Sequence, residues 1–215
     1  MNESLLKGAK HNLINALREK NIANEQVLQA FDKVDRHLFL QETFLYNEAY
    51  QDKALPIGCG QTISAPSTVA FQTQLLEVSS TDRIMEIGTG SGFQAAILFA
   101  MGAQVYTIER QADLFRQTKS LFERLRINPA VFYGDGFRGL PQFAPFEKII
   151  VTCGAPHIPE NLLKQLKING IMVIPVGDSR QTMKRIVKTD ETSYKVTDFG
   201  DFNFVPMLQS TVYLK

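Results

Sequence analysis

Apolar residues recur at helical spacing in the first third of the chain. In the first segment they fall every three or four positions, at Leu5, Leu6, Ala9, Leu13, Ile14 and Leu17. This spacing predicts an amphipathic helix. A second helix is predicted after Asn24, because asparagine is a favourable N-cap residue. A third is predicted after Pro66, with Val69, Thr73 and Leu76 along one stripe.

The segment Gln41–Pro66 has no periodic pattern. It contains Pro56, Gly58, Gly60 and Pro66, residues that interrupt helices and strands. We therefore expect a long irregular loop. A loop of this length inside a compact domain is usually functional.

From Thr81 onward, short apolar runs alternate with helical patterns. The predicted strands are Arg83–Ile87, Val105–Ile108, Ala130–Tyr133, Lys148–Val151, Ile171–Val176, Lys184–Lys188 and Ser210–Leu214. The predicted helices are Phe93–Met101, Gln111–Arg126 and a short one near Pro159 that ends before Asn169-Gly170. This alternation predicts an α/β fold with a mainly parallel central sheet and helices on both faces. We expect residues 1–80 (helical extension and loop) and 81–215 (core) to form one integrated unit.

Net charge and cysteine content argue against several classes of function. The chain has 215 residues and a net charge of +1, from 23 basic and 22 acidic side chains. It therefore has no overall electrostatic attraction to nucleic acid or anionic membranes. Cys59 and Cys153 have no metal-ligand spacing, so we expect free thiols and no metal. Without a signal-like or spanning apolar run, we predict a cytoplasmic location.

A glycine-rich turn follows the first strand of the predicted core, at Gly88-Thr89-Gly90-Ser91-Gly92. Such a turn lets backbone approach a ligand and directs helix N–H groups at it. Dinucleotide enzymes use the spacing G-x-G-x-x-G, whereas Phe93 occupies the third glycine position here. Glu86, just before the turn, would repel a pyrophosphate and suits a cationic group such as an ammonium.

Two further carboxylates follow successive strands. Glu109 ends the second strand of the core and is placed to accept both hydroxyls of a ribose. Asp135 follows the third strand within Gly134-Asp135-Gly136, where it could accept from an adenine amino group. Together with Glu86, they suit a nucleoside with a positively charged amino-acid arm, which is the chemistry of S-adenosylmethionine.

These residues resemble known motifs. The segment Glu86–Gly92 resembles the first motif of class I methyltransferases, which have a Rossmann-like fold. The segment Leu55–Pro66 resembles the active-site segment of the protein-L-isoaspartate O-methyltransferase family. Further stretches that resemble this family are Asp35-Arg36 with Phe39, Tyr106–Arg110, Gly134–Gly136, Ile149–Thr152, Ala155-Pro156, Val173–Gly177 and Phe204–Pro206.

The resemblance implies a repair enzyme. The family transfers a methyl group from S-adenosylmethionine, which becomes S-adenosylhomocysteine, to the α-carboxylate of L-isoaspartyl residues in damaged proteins. The ester then cyclises to a succinimide, and hydrolysis returns some normal aspartate. We expect a monomer that acts on isoaspartyl-containing peptides and proteins, without a nucleic-acid or membrane partner.

The resemblance also assigns site residues. Ser64 is the expected catalytic positioning residue, although a serine before Ala65-Pro66 is by itself more typical of a turn or cap. The expected cofactor-binding residues are Thr62, Ile63, Ser64, Glu86, Gly88, Thr89, Gly90, Glu109, Arg110, Gly134, Asp135, Gly136 and Thr152. The expected substrate-binding residues are Pro56, Ile57, Val205 and Pro206, with a sheet-edge proline as the alternative reading of Pro206.

Two departures and three alternatives remain. The family commonly has His or Tyr where this chain has Ser67, and alanines where it has Cys153-Gly154. Methyl transfer to an ionised carboxylate needs alignment and water exclusion rather than a strong base, so the lack of a His–acid pair does not exclude an enzyme. The alternatives are a class I methyltransferase for small acids or RNA, a nicotinamide oxidoreductase, and a non-catalytic binding module.

Overall fold

The computed structural model describes residues 3–40 and 46–212 of the chain. Its helices are α1 (Glu3–Glu19), α2 (Glu25–Lys33), α3 (Tyr46–Ala49), α4 (Pro66–Leu76), α5 (Phe93–Ala100), α6 (Ala112–Leu125) and α7 (Glu160–Gln165). The side chain of Asn24 accepts hydrogen bonds from the backbone N–H groups of Gln26 and Val27, which confirms it as the cap of α2. Short 3-10 helices occupy Arg36–Phe39 and Pro141–Phe143.

The strands form a two-stranded and a seven-stranded sheet. The small sheet pairs β1 (Leu55–Gly58) with β2 (Gln61–Ile63). The large sheet contains β3 (Arg83–Ile87), β4 (Gln104–Glu109), β5 (Ala130–Tyr133), β6 (Phe146–Val151), β7 (Leu166–Val176), β8 (Gln181–Lys188) and β9 (Tyr194–Phe202). Its order is β5-β4-β3-β6-β7-β8-β9. Strands β3 to β7 run parallel to one another, and β8 and β9 are antiparallel to their neighbours.

The expectation of an irregular loop over Gln41–Pro66 is wrong for most of its length. Residues 41–45 lie outside the described residues, but α3, β1 and β2 occupy much of the remainder. Leu55 pairs with Ile63 across an antiparallel hairpin. At its tip, Gly58, Cys59 and Gly60 all have positive φ, at 93°, 52° and 67°. The two strands have only four and three residues, too few for periodicity to reveal them.

Three predictions for the second half of the core also need correction. Strand β7 begins at Leu166 and runs through Asn169-Gly170, where the register with β6 shifts and Asn169 has φ 65°. Strand β9 is absent from the predicted elements, because its side chains are almost all exposed. Residues 210–212 do not form a strand, although Val212 makes an isolated bridge to Gln111; residues 213–215 lie outside the described part.

The N-terminal helices share their apolar core with the sheet. One buried cluster joins Leu17 of α1 and Phe31 of α2 to Phe93 and Ile97 of α5. The ring of Phe93 packs edge-on against Phe31, with 5.7 Å between centroids. This contact fixes the helical extension beside the glycine turn. Within the described residues, no helix is long and apolar enough to cross a membrane.

Candidate cofactor and active site

The strand order places a topological switch between β3 and β6. The chain runs from β3 outward through β4 and β5, and then returns to the other side of β3 as β6. Ligands of open α/β sheets bind beyond the carboxyl ends of strands at such a point. A cavity lies there, and its lining includes the predicted residues Thr62, Ile63, Ser64, Glu86, Gly88, Thr89, Gly90, Glu109, Arg110, Gly136, Thr152, Val205 and Pro206.

The glycine turn closes against the end of β6. Gly88 has φ 97°, and a Cβ there would lie 2.6 Å from Oγ1 of Thr152. The Thr152 hydroxyl is directed at the carbonyls of Gly88, 2.7 Å away, and Ile87, 3.0 Å away. Glycine is therefore required both by the backbone conformation and by the close approach of a neighbouring strand.

Glu109 supports the turn from β4. Its two carboxylate oxygens accept from the backbone N–H groups of Gly90 and Gln111, each at 2.8 Å. Burial raises its pKa, and these N–H groups oppose that shift. Each oxygen accepts one N–H in this arrangement and has a second lone pair for a ligand hydroxyl. The carboxylate can therefore hold both the turn and a ribose.

Glu86 has a different environment. It is fully buried, and neither carboxylate oxygen has a hydrogen-bond partner among the described residues. Burial raises its pKa to about 8; the hydroxyl of Thr107 opposes this shift and the charge of Glu109 adds to it. That hydroxyl is itself paired with the hydroxyl of Thr89, at 2.6 Å. An unpartnered buried carboxylate is costly, and a nearby cation would relieve the cost, so Glu86 fits a ligand that carries an ammonium group.

Ser64 follows β2 and lies in the cavity wall. The N-cap of α4 is Ala65, and the carboxylate of Asp52 accepts from the backbone N–H of Ser67 in the first turn at 2.7 Å, so Ser64 does not have the cap role that its neighbours suggest. Its carbonyl accepts a hydrogen bond of 3.0 Å from the guanidinium of Arg36. Its hydroxyl forms no hydrogen bond with another described residue, which leaves this group available to a ligand.

Residues 205–208, in the last described segment, close one side of the cavity. Arg110 donates to the carbonyls of Ser210 and Gln209, and Asp135 accepts from the backbone N–H of Ser210 at 2.9 Å. The carbonyl of Val205 accepts from the N–H of Gly154 at 2.8 Å. The expected peptide edge at Val205-Pro206 is therefore already bridged on one side to the loop after β6.

Four predicted site residues do not line this cavity: Pro56, Ile57, Gly134 and Asp135. Ile57 is buried, and its Cδ1 lies 3.3 Å from where a Cβ on Gly90 would be. It packs against the turn and lines a second cavity together with Gly90, Ser91 and Leu114. Both carboxylate oxygens of Asp135 accept from backbone N–H groups, those of Phe137 and Ser210.

The cavity also has wall residues that the sequence does not single out. They include Gln72, Gln94, Met207 and Leu208. Gln72 and Gln94 are buried polar side chains on α4 and α5, and Gln94 is visible in the sequence as the one polar residue of Phe93–Ala100. Met207 and Leu208 follow Pro206 directly, but only the fold brings them to the sheet.

Comparison with known proteins supplies the deciding observation. The model of the protein-L-isoaspartate(D-aspartate) O-methyltransferase family matches residues 8–212. The chain belongs to this family. A protein-L-isoaspartate O-methyltransferase of Flavobacterium johnsoniae is 54% identical over 203 residues, covering 94% of this chain and 95% of the relative. One from Cytophaga hutchinsonii is 50% identical over 210 residues, 97% of this chain and 95% of the relative.

Solved structures agree with the fold. A protein-L-isoaspartate O-methyltransferase structure matches with a TM-score of 0.85 and 26% identity, over 92% of this chain and 65% of that one. A Plasmodium falciparum structure in complex with S-adenosyl-L-homocysteine matches with a TM-score of 0.81 at 24% identity, over 92% and 97% of the two chains. The predictions of family, Rossmann-like fold, methyltransferase class and S-adenosylmethionine as methyl donor are confirmed.

Proposed function

We propose that this protein-L-isoaspartate O-methyltransferase family member transfers a methyl group from S-adenosylmethionine to the α-carboxylate of L-isoaspartyl residues in damaged proteins. The observation that carries the proposal is the cavity at the sheet switch point, where the glycine turn, Glu109, Ser64 and Glu86 meet, the last without a hydrogen-bond partner in the described part of the chain. Family membership adds the substrate class.

In the proposed cofactor site, different residues bind the different groups of S-adenosylmethionine. We assign the ribose to Glu109, because its carboxylate sits at the end of β4 beside the glycine turn. We assign the ammonium side of the methionine arm to Glu86. Thr62, Ile63, Gly88, Thr89, Gly90, Arg110, Gly136 and Thr152 complete the wall. Asp135, which follows Gly134, is the proposed acceptor for the adenine amino group, because each of its oxygens accepts one backbone N–H and keeps a second lone pair.

Bound S-adenosylmethionine supplies an electrophilic methyl group on a sulfonium. The acceptor carboxylate is already ionised at neutral pH, because free carboxyls titrate near about 4. The chain's residues therefore need to align the carboxylate and exclude water rather than remove a proton. Ser64 lies in the cavity wall and its hydroxyl has no hydrogen-bond partner among the described residues, so it is the proposed donor that orients the carboxylate.

The substrate is proposed to enter beside Val205-Pro206. Both residues line the cavity, and Pro206 is exposed. Pro56, exposed on the β1–β2 hairpin, is the proposed outer contact. We further propose a monomer in the cytoplasm, a compartment compatible with the two free thiols, Cys59 and Cys153.

The test is labelled methyl transfer to a matched pair of peptides, one with L-isoaspartate and the other with normal aspartate at the same position. Transfer to the isoaspartyl peptide alone supports the proposal. Transfer to neither peptide, with S-adenosylhomocysteine binding intact in calorimetry, would reject the substrate class and leave a methyltransferase for another acceptor or a binding module.

A further inference from the structure

Arg36 is a buried arginine outside the cavity wall. It is 1% exposed and lies in the short 3-10 helix between α2 and α3. Burial lowers its pKa to about 10, so the guanidinium stays protonated at neutral pH. Burying a cation is costly unless hydrogen bonds replace its water. The hydrogen-bond acceptors around Arg36 therefore indicate its role in the structure.

Those partners are three backbone carbonyls from separate parts of the chain. One terminal nitrogen donates to the carbonyl of Ala49. The other donates to the carbonyls of Lys53, at 3.2 Å, and Ser64, at 3.0 Å. Only Nε has no partner among the described residues. A planar guanidinium fixes the angles between its donors, so Arg36 holds these carbonyls in one geometry.

The same side chain contacts the helix that begins at the glycine turn. The guanidinium carbon lies 5.7 Å from the ring centroid of Phe93. Phe93 is the first residue of α5 and lines the cavity. Arg36 thus connects the Ser64 segment on one wall of the cavity to the start of α5 on another.

We infer that Arg36 is a positioning residue for methyl transfer, which acts by fixing the backbone of Ser64 so that its hydroxyl meets the acceptor carboxylate. This inference rests on the proposed function and on the role of Ser64 within it. A lysine at position 36 would keep the charge but provide a single compact ammonium instead of a fork. It could not hold three carbonyls in one geometry.

The test is a double-mutant cycle with Arg36→Lys, Ser64→Ala and both changes together. Arg36→Lys is expected to lower kcat about 10- to 100-fold, because small misplacements of positioning groups have effects of this size. In the Ser64→Ala background, it is expected to lower kcat less than about twofold, because coupled residues are not additive. The dissociation constant of S-adenosylhomocysteine should change less than about threefold, since charge and cavity wall are retained.

Arg83→Lys is the matched control. Arg83 also donates to two carbonyls, those of Pro145 and Phe143, and also lies over aromatic rings. It belongs to the opposite end of β3, away from the cavity. The control substitution should leave kcat within about twofold of the wild-type value, whatever it does to stability.

Two results would overturn the inference. One is an equal loss of kcat from Arg36→Lys in the wild-type and Ser64→Ala backgrounds, which is the behaviour of a general structural contact. The other is unchanged amide hydrogen exchange over residues 61–64 in Arg36→Lys relative to Arg83→Lys. The exchange measurement needs no turnover, so it decides the Arg36 question even if wild-type protein methylates no isoaspartyl peptide, an outcome that would reject the proposed function separately. If Arg36→Lys does not fold, Arg36→Gln takes its place in both measurements.

Discussion

The two charged residues of β3 differ in their surroundings: Arg83, at the amino end, has hydrogen-bond partners, whereas Glu86, near the carboxyl end, has none among the described residues. Arg83 donates to the carbonyls of Phe143 and Pro145, and its guanidinium carbon lies 5.4 Å from the ring centroid of Tyr106. Three residues later, Glu86 is fully buried, and both its oxygens lack a partner among the described residues.

This difference indicates that the polar groups at the amino end of β3 contribute to stability, whereas those at the carboxyl end serve ligand binding. Polar groups at the amino end are satisfied by the protein itself, so their loss should affect folding. Groups at the carboxyl end keep unused hydrogen-bonding capacity, which costs stability unless a ligand supplies the partner. Mutations at the two ends should therefore change different measured quantities.

The largest effect is expected from Ser64→Ala. Loss of one preorganised donor typically lowers kcat about 10²-fold. Cofactor affinity should change far less, because the glycine turn and Glu109 are untouched. Steady-state methyl transfer and calorimetry on the same preparation measure the two quantities. Ser120→Ala, an exposed hydroxyl on α6, is the control, and equal activity of the Ser64 and Ser120 variants would remove the role assigned to Ser64.

The second effect concerns the cofactor. Glu109→Gln keeps the shape of the side chain but replaces one acceptor oxygen with a donor that faces a backbone N–H. Affinity for S-adenosylhomocysteine should fall about 10-fold or more, since hydrogen bonds to charged groups are each worth about 1.5–3 kcal/mol. Glu123→Gln, exposed on α6, should leave the affinity unchanged. Calorimetry that finds the two variants alike would break the proposed ribose assignment.

The third effect is on stability and belongs to the other end of the strand. Arg83→Ala removes two hydrogen bonds to carbonyls and the contacts with Tyr106 and Phe146. The free energy of unfolding should fall by about 1–2 kcal/mol, as measured by urea denaturation. The cofactor dissociation constant should not change, and a parallel loss of affinity would show that the two ends are not independent.

The fourth effect is a pH dependence of stability at Glu86. Its pKa of about 8 lies above the usual value of 4.5, so the folded protein holds a proton that the unfolded chain releases. The stability from this group is present below about pH 4.5 and is lost as the pH rises through about 8. Glu86→Gln should flatten this part of the pH profile of unfolding, and an unchanged slope would contradict the assignment.

The same carboxyl group should couple cofactor binding to proton release. An ammonium beside Glu86 favours the ionised form, so binding near about pH 7 should release up to about one proton per site. Calorimetry in two buffers with different ionisation enthalpies measures this release. Glu86→Gln should abolish the buffer dependence, and a wild-type protein that shows none would contradict the pairing of Glu86 with the ammonium.

Much of the fold can be predicted from the sequence because its core elements are buried and strongly patterned. The predicted bounds of strands β3 and β5 match the observed ones, and residue type alone identifies Asn24 as a cap. By contrast, β9 is exposed along nearly its whole length. The alternation of Tyr194 and Val196 with polar residues stops at Asp198, and the strand is held by pairing with β8 and by the packing of Phe199 and Phe202 against Phe71.

Site residues can be predicted from the sequence where a glycine or polar residue directly ends or follows a predicted strand. Gly88, Glu109 and Thr152 each end or follow a parallel strand, and the cavity brings them together. The sequence predicts ligand contacts for Ile57 and Asp135 as well; in this structure Ile57 packs beside the turn and Asp135 accepts from the last segment, and their ligand contacts stay a prediction. Whether a carboxylate that accepts from backbone N–H groups also faces a ligand depends on loop conformation, which local sequence does not encode.

The central claim is that the carboxyl end of the sheet binds the methyl donor beside an isoaspartyl carboxylate. A crystal structure with S-adenosylhomocysteine and an isoaspartyl peptide tests it most directly. We predict the ribose hydroxyls on Glu109, the ammonium on the Glu86 side, and the isoaspartyl carboxylate within hydrogen-bonding distance of Ser64. A peptide bound away from Ser64, or a nucleoside placed outside the turn after β3, would contradict the account.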